Sequence, residues 1–190
     1  SDLFDVQWCM IDAEDTDHVV DYINEGILQE LREAYGQIIP DAVRTAYGAM
    51  SYIKAATGNK FVVIIDEWDV LIRDEAQNHT LQEAYIDFLR GMFKGTEPSR
   101  YIALAYLTGI LPIKKLKTQS ALNNFEEFTM LDAGRMAPYV GFTEEEVHGL
   151  CEQYGCSYEQ VKSWYDGYLL EDYQVYNPKA VVSVMLNGKY

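Results

Sequence analysis

The pattern of hydrophobic and polar positions divides the chain into short apolar runs separated by amphipathic stretches. The apolar runs are residues 6–11, Phe61–Ile65 and 101–107, with a weaker run at 125–131. The second and third runs are apolar at consecutive positions, which is typical of parallel strands buried on both faces. The pattern therefore predicts four strands in the first part of the chain.

Helical spacing of apolar residues fills the intervals between these strands. It extends over residues 15–38 and 41–57, and the sequence of residues 80–83 has the form of a capping box before a helix that ends near Lys94. Strands that alternate with helices favour an α/β fold. We therefore predict a three-layer α/β core over residues 1–132.

The pattern of apolar runs alternating with helical stretches ends at about residue 132. Two further capping-box sequences begin at Thr143 and Ser157, and Gly155 lies between them as a helix stop signal. Residues 133–190 are therefore predicted to form a small, mainly helical subdomain.

Composition and charge narrow the class of protein. The chain has 190 residues, 48% of them hydrophobic, and no apolar run approaches the ~20 residues of a membrane span. Its three cysteines form no CxxC pair, so we expect a soluble, cytoplasmic protein without structural zinc. The net charge of −15 repels polyanions, and we expect no direct binding of nucleic acid.

Two carboxylates follow the strand predicted at Phe61–Ile65. Asp66 and Glu67 would lie at the carboxyl end of that strand, where ligand sites of parallel sheets collect. An aspartate in this position can hold Mg²⁺ opposite nucleotide phosphates, and a glutamate can act as the general base on water. An apolar run followed by Asp-Glu is the Walker B form of many ATPases. The alternative is an acidic turn after a buried strand.

A hydroxyl group follows the next predicted strand. Thr108 comes directly after residues 101–107, so its side chain is expected at the same sheet edge as Asp66 and Glu67. In ATPases a polar residue at this point senses the γ-phosphate and helps to orient the water. The alternative is that Thr108 and Gly109 form an ordinary turn.

Several motifs together resemble those of the AAA-ATPase-like family of bacterial proteins. They are FVVIIDEWD, YIALAYLTGI, LNNFEEFTML, GFTEEEV, WYDGY and VYNP, and the resemblance extends over about residues 6–186. It implies a P-loop NTPase-like core, often followed by a restriction-endonuclease-like domain, with ATP and Mg²⁺ as cofactors. On this resemblance Asp66 and Glu67 match the Walker B pair, and Thr108 matches the polar residue after the next strand.

The sequence departs from the family pattern in one essential motif. No GxxxxGKS or GxxxxGKT loop, which would cradle the phosphates, occurs in the 190 residues. Trp68 also replaces the tyrosine that usually follows Asp-Glu. We therefore expect an inactive segment of a longer protein, with nucleotide and the magnesium ion at Asp66 bound only in that parent chain.

Two classes of function remain open from the sequence. In the first, the segment belongs to an ATPase that drives an attached effector or nuclease-like domain. In the second, it is a degenerate, non-catalytic module for protein interaction. In the family's sheet the strand that leads to the phosphate loop would lie beside residues 101–107. We expect that edge to be closed by residues 125–131 or by a second copy of the chain. As partners of the segment we expect another protein or the missing N-terminal and C-terminal parts of the parent chain.

Overall fold

A computed structural model of the chain describes residues 16–112, 122, 124–165 and 167–188. The chain forms two compact units, Ser1–Phe125 and Glu126–Tyr190. The boundary predicted from the sequence, at residue 132, lies a little further along the chain than this division. The strand predicted at residues 6–11 lies outside the described residues.

The first unit contains helices and two strands. Its elements are a 3₁₀ turn at Thr16–His18, α1 (Val19–Tyr35), α2 (Ala46–Thr57), β1 (Phe61–Ile65), α3 (Val70–Asp74), α4 (His79–Phe93), α5 (Pro98–Tyr101) and β2 (Ile102–Leu107). The two strands pair in parallel, with Ile65 opposite Leu107 at their carboxyl ends. The strand predictions at Phe61–Ile65 and 101–107 are thereby confirmed, and the unit is a mixed α/β structure with a small parallel sheet.

One face of this sheet packs on helices and the other is exposed. Val63, Ile65, Ala105 and Leu107 contact a core built largely from α1, α3 and α4. The residues between them face outward, and Ile64 is 68% exposed. The prediction that both strand faces are buried is therefore wrong for the described residues, because these provide a helical layer on one face only.

Local capping interactions set the helix boundaries. The Thr45 side chain accepts a hydrogen bond from the Gly48 amide at the start of α2, and Gly58 ends this helix with a left-handed backbone. At α4 the N-cap is Asn78, whose side-chain oxygen accepts from the Leu81 amide at 3.1 Å. The capping box predicted at Thr80 is therefore wrong, because Asn78 caps the helix earlier.

The strand predicted at residues 125–131 does not form. Its residues make an irregular segment whose isolated β-bridge joins Thr129 to Asp132. The Phe125 ring packs edge-on against Phe93, and Leu131 is fully exposed. The aromatic and apolar residues of this run favoured a strand, but among the described residues it forms no ladder with a named strand. Because this segment forms no strand, the expectation that it closes the edge of β2 as a strand is also wrong.

The second unit combines short helices with an antiparallel sheet that the sequence analysis did not predict. Its elements are a 3₁₀ helix at Gly134–Tyr139, β3 (Phe142–Thr143), α6 (Glu144–Tyr154), α7 (Tyr158–Trp164), β4 (Tyr168–Leu170), β5 (Tyr173–Tyr176) and α8 (Pro178–Asn187). The strand order is β3–β5–β4. The capping box at Thr143 is confirmed, since Thr143 and Glu146 each accept a hydrogen bond from the other's amide.

A polar cluster joins α6, α7 and β5. The Tyr158 hydroxyl donates to the Glu144 carboxylate and lies 3.0 Å from the hydroxyl of the buried Tyr176. Lys162 Nζ lies 3.2 Å from Glu144 Oε1, and the His148 ring stacks on Tyr158. Two tyrosines of the aromatic C-terminal region thus have a packing role within this unit.

In the part of the chain that the structure describes, none of the helices combines the length and apolar character needed to cross a membrane.

Candidate functional site

The carboxyl ends of β1 and β2 bring Asp66, Glu67 and Thr108 together. The Thr108 hydroxyl donates a hydrogen bond to Asp66 Oδ1. The Glu67 amide lies 3.1 Å from Asp66 Oδ1 and 3.3 Å from Thr108 Oγ1, so it is shared between the two side chains. The three predicted site residues are therefore neighbours at one edge of the sheet.

The backbone extends the parallel pairing beyond the strands. The Thr108 amide donates to the Ile65 carbonyl, and the Trp68 amide donates to the Thr108 carbonyl, both at 2.9 Å. Glu67, between these two bonds, has a φ of 49°. A left-handed backbone is unfavourable for a residue with a Cβ by roughly 1–2 kcal/mol. The two strand ends thus hold Glu67 in a conformation that directs its exposed side chain away from the core.

Trp68 and Tyr85 attach the turn that follows β1 to the core. Trp68 is only 2% exposed, and its carbonyl accepts a hydrogen bond of 2.8 Å from the Tyr85 hydroxyl of α4. Burial and, to a smaller extent, the nearby Asp69 carboxylate raise the pKa of Tyr85 well above its usual range. This hydroxyl therefore stays protonated and available as the donor.

Asp69 is a fully buried carboxylate that holds the loop after β2. Its Oδ2 atom accepts hydrogen bonds from the amides of Ile110 at 3.1 Å and Leu111 at 2.7 Å. Its side chain has no solvent exposure, and Oδ1 lacks a hydrogen-bond partner among the residues that the structure describes. Asp69 thus fastens the segment that follows Thr108 to the turn that follows β1.

Gly109 is required by the closeness of these two loops. A Cβ atom at this position would lie 2.6 Å from Cδ1 and Nε1 of Trp68 and 2.7 Å from Asp69 Oδ1. Real Cβ contacts are not that short, and the buried Trp68 ring has no room to move aside. A turn prediction for Thr108–Gly109 did not anticipate this steric requirement.

Arg73 adds a positive charge to the cluster, beside Glu67 and Asp69. Its Nη2 atom donates to Glu67 Oε2 at 3.3 Å. Its Nε atom is 3.3 Å from Asp69 Oδ2, which is an ion-pair distance without hydrogen-bond geometry. The sequence analysis assigned no role to Asp69 or Arg73. Their i,i+4 spacing directly after the Asp-Glu pair was the signal that could have found them.

The donor atoms at this edge fit Mg²⁺ only in part. Asp66 and Thr108 supply hard oxygen atoms of the kind that Mg²⁺ prefers. Among the residues that the structure describes, however, no group of three His, Cys, Asp or Glu side chains is arranged to hold a metal ion. Magnesium sites built from one or two carboxylates are completed by water and substrate phosphates. The residues present therefore suit a magnesium–nucleotide complex better than a free ion.

Comparison with known proteins gives a match to a family model and an uncharacterised relative. The chain is 28% identical over 153 residues to an uncharacterized protein in the vnfD 5′ region of Azotobacter chroococcum mcd 1. The match covers 79% of this chain but only 27% of that relative, so the chain spans about a quarter of the relative's length. No solved structure matches the chain. The family model described as predicted AAA-ATPase matches residues 3–118, more than half of the sequence, and the chain therefore belongs to the AAA-ATPase-like family.

Proposed function

We propose that this chain supplies the Walker B side of an ATP-hydrolysing site in a longer protein. The observation that carries the proposal is the hydrogen-bonded contact of Asp66, Glu67 and Thr108 across two adjacent parallel strand ends. A polar cluster at the carboxyl edge of a parallel sheet is where α/β proteins bind ligands. Family membership supports the same reading, with β1 and β2 as part of a three-layer P-loop NTPase-like core.

Each residue of the cluster has a distinct proposed role. Asp66 would hold Mg²⁺, directly or through water, when the nucleotide is bound, and the ion would neutralise charge on the phosphates. Glu67 would orient the attacking water and accept its proton. Thr108 would sense the γ-phosphate, and its hydrogen bond to Asp66 would keep both side chains aligned.

The 190 residues by themselves are proposed to be inactive. They contain no GxxxxGKS or GxxxxGKT loop, and such a loop supplies most of the backbone amides and the lysine that bind the phosphates. The remaining acidic residues repel a nucleotide unless a metal ion and a phosphate loop compensate. ATP and Mg²⁺ are therefore proposed as cofactors of the parent protein only.

The exposed sheet face supports the proposal that this unit has a protein partner. Val62, Ile64 and Leu104 are each more than half exposed and lie on the same side of β1 and β2. Contiguous exposed apolar surface marks an interaction site. We propose that other parts of the parent chain cover this face, with self-association at the β2 edge as the second possibility. We also propose a cytoplasmic location, on the ground that the three cysteines form no CxxC pair. The acidic net charge supports the proposal that the chain does not bind nucleic acid directly.

A degenerate, non-catalytic interaction module is the second candidate function. The exposed apolar face also favours this reading. It differs from the first in its account of Glu67, which would then have no chemical task. In the first reading hydrolysis drives an attached effector or nuclease-like domain; in the second the chain serves assembly alone.

The two candidates are separated by substitution of the proposed base. In the full-length protein Glu67→Gln should reduce ATP turnover by about 10²–10⁴-fold, the usual contribution of a general base, while nucleotide affinity is retained. Asp66→Ala should additionally weaken magnesium-dependent binding. The matched control is Glu83→Gln, on the exposed side of α4, which should have parental turnover. Parental turnover in both Glu67→Gln and Asp66→Ala would contradict the catalytic proposal.

A further inference from the structure

A single guanidinium group connects the proposed general base to a buried carboxylate. Arg73 Nη2 hydrogen bonds to Glu67 Oε2, and Arg73 Nε lies within ion-pair distance of Asp69 Oδ2. The Arg73 side chain is about one quarter exposed, whereas Asp69 is completely buried. Arg73 thus contacts both the buried carboxylate of Asp69 and the solvent-facing carboxylate of Glu67.

Stability alone does not account for the charge on Asp69. The two loop amides of Ile110 and Leu111 need only a hydrogen-bond acceptor, which a neutral asparagine oxygen would also provide. Among the described residues, one buried carboxylate oxygen of Asp69 has no hydrogen-bond partner, and burying a charge that is incompletely paired is costly. Toward the guanidinium of Arg73, in contrast, a charged carboxylate is needed to form an ion pair.

We propose that Arg73 is a positioning residue for Glu67, and that Asp69 anchors it. This inference rests on the proposed ATP hydrolysis and adds to it a residue that acts through the base. The five N–H groups of a guanidinium lie in one rigid plane, so contact with two carboxylates restricts where Glu67 can place its oxygen atoms. Since Asp69 also binds the amides after Thr108, the orientation of Glu67 is coupled to the loop that follows β2.

The backbone and the exposure of Glu67 give its side-chain contact with Arg73 a bearing on catalysis. With a φ of 49°, the residue lies outside the regular strand and helix conformations whose neighbours restrict side-chain rotamers. A glutamate side chain that is more than half exposed has many orientations, and the cost of ordering it falls on the catalytic step. Arg73 reduces this cost by holding the carboxylate before nucleotide binds.

Kinetics of the full-length protein test the proposed role. Arg73→Met should lower kcat for ATP by about tenfold to a hundredfold, the effect of a small misplacement of a catalytic group, and leave KM within about twofold. Arg73→Lys should recover part of the loss, because a lysine can contact either carboxylate but cannot span both. The control Arg100→Met removes an exposed arginine that pairs with Glu97 at 3.4 Å and should have parental kcat.

A double substitution shows whether Arg73 acts through Glu67. In a Glu67→Gln background, Arg73→Met should cause no further loss of the residual rate, since the carboxylate it positions is absent. Multiplicative losses would overturn the proposal. Parental turnover of Glu67→Gln would instead contradict the proposed function, whereas an inactive Glu67→Gln with a parental Arg73→Met would contradict only this inference.

Hydrogen exchange on the 190-residue chain provides a readout that needs no activity. Asp69→Asn keeps the shape of the side chain but replaces charged acceptors with neutral ones, which roughly halves the strength of each bond. The Ile110 and Leu111 amides should then exchange about tenfold faster, while amides of α2 are unchanged. In the full-length protein the same variant should lower kcat as Arg73→Met does. Unchanged amide exchange and a parental kcat in Asp69→Asn would overturn the anchoring role. If Arg73→Met does not fold, the Arg73→Lys and Asp69→Asn variants provide the test.

Discussion

Asp66 and Thr108 are 42 residues apart in the sequence and share a hydrogen bond in which the threonine hydroxyl donates to the carboxylate. The contact exists because β1 and β2 are adjacent and parallel, with Ile65 opposite Leu107. The residue that follows each strand therefore reaches the same edge. The Glu67 amide lies between the two side chains and completes the cluster.

The Thr108 hydroxyl is expected to contribute directly to turnover. In the full-length protein Thr108→Val keeps the size of the side chain but removes the hydrogen bond to Asp66. We expect kcat to fall by about tenfold to a hundredfold, corresponding to one hydrogen bond to a charged group. Thr108→Ser is the control and should retain most of the activity. Equal rates for the valine and serine variants would show that the hydroxyl has no role in hydrolysis.

The isolated chain is expected to have no appreciable nucleotide affinity. Calorimetric titration of the 190 residues with Mg-ATP should give no saturable binding below millimolar concentrations, because the sequence lacks the phosphate-binding loop. The same titration on the full-length protein serves as the positive control. A micromolar dissociation constant for the isolated chain would reveal a nucleotide site elsewhere in these residues.

Gly109→Ala should destabilise the first unit. The added methyl group would overlap the buried Trp68 ring and Asp69 Oδ1, and overpacking of this kind costs about 1–3 kcal/mol. Urea unfolding followed by circular dichroism measures the loss as a lower midpoint. The control is Gly149→Ala in α6, where nothing lies within 4 Å of the new Cβ.

For this control we expect a gain of up to about 1 kcal/mol in the stability of the second unit, from the higher helix propensity of alanine. A Gly109→Ala midpoint at or above the parental value would show that the two loops can separate without cost.

The Glu144–Tyr158 contact should make the stability of the second unit depend on pH. The hydrogen bond from Tyr158, together with the nearby Lys162, lowers the pKa of Glu144. A lowered pKa in the folded state means that its stabilisation is present above the usual glutamate pKa of ~4.3 and is lost as pH falls through the folded value. We therefore expect Glu144→Gln to lower the thermal midpoint at pH 7 and to have a smaller effect at about pH 3.

The control for this measurement is Glu145→Gln, which lies next to Glu144 in the exposed first turn of α6. Its effect on the midpoint should be small at both pH values. A Glu144→Gln difference that stays constant between pH 7 and pH 3 would contradict the assigned hydrogen bond.

Short-range sequence signals determined the elements that lead to the site. Consecutive β-branched residues before Asp66 predicted β1 correctly, and the apolar run before Thr108 predicted β2. Thr143 with Glu146 predicted a capping box that the structure contains. These features depend on neighbours within a few residues, where side-chain shape and backbone preference act directly.

The tertiary structure decided the features that depend on distant partners. Residues 125–131 have a strand-like composition but form no strand, since a strand needs a paired partner and not only β propensity. Tyr168–Leu170 and Tyr173–Tyr176 form strands because they pair with each other. Asp69 had no role assigned from the sequence, and it is fully buried where the amides of Ile110 and Leu111 donate to its carboxylate. The sequence alone thus determined which residues follow the two strands. The approach of two loops whose contacting residues are 42 positions apart decided which side chains are buried and hydrogen-bonded there, because both properties depend on three-dimensional proximity.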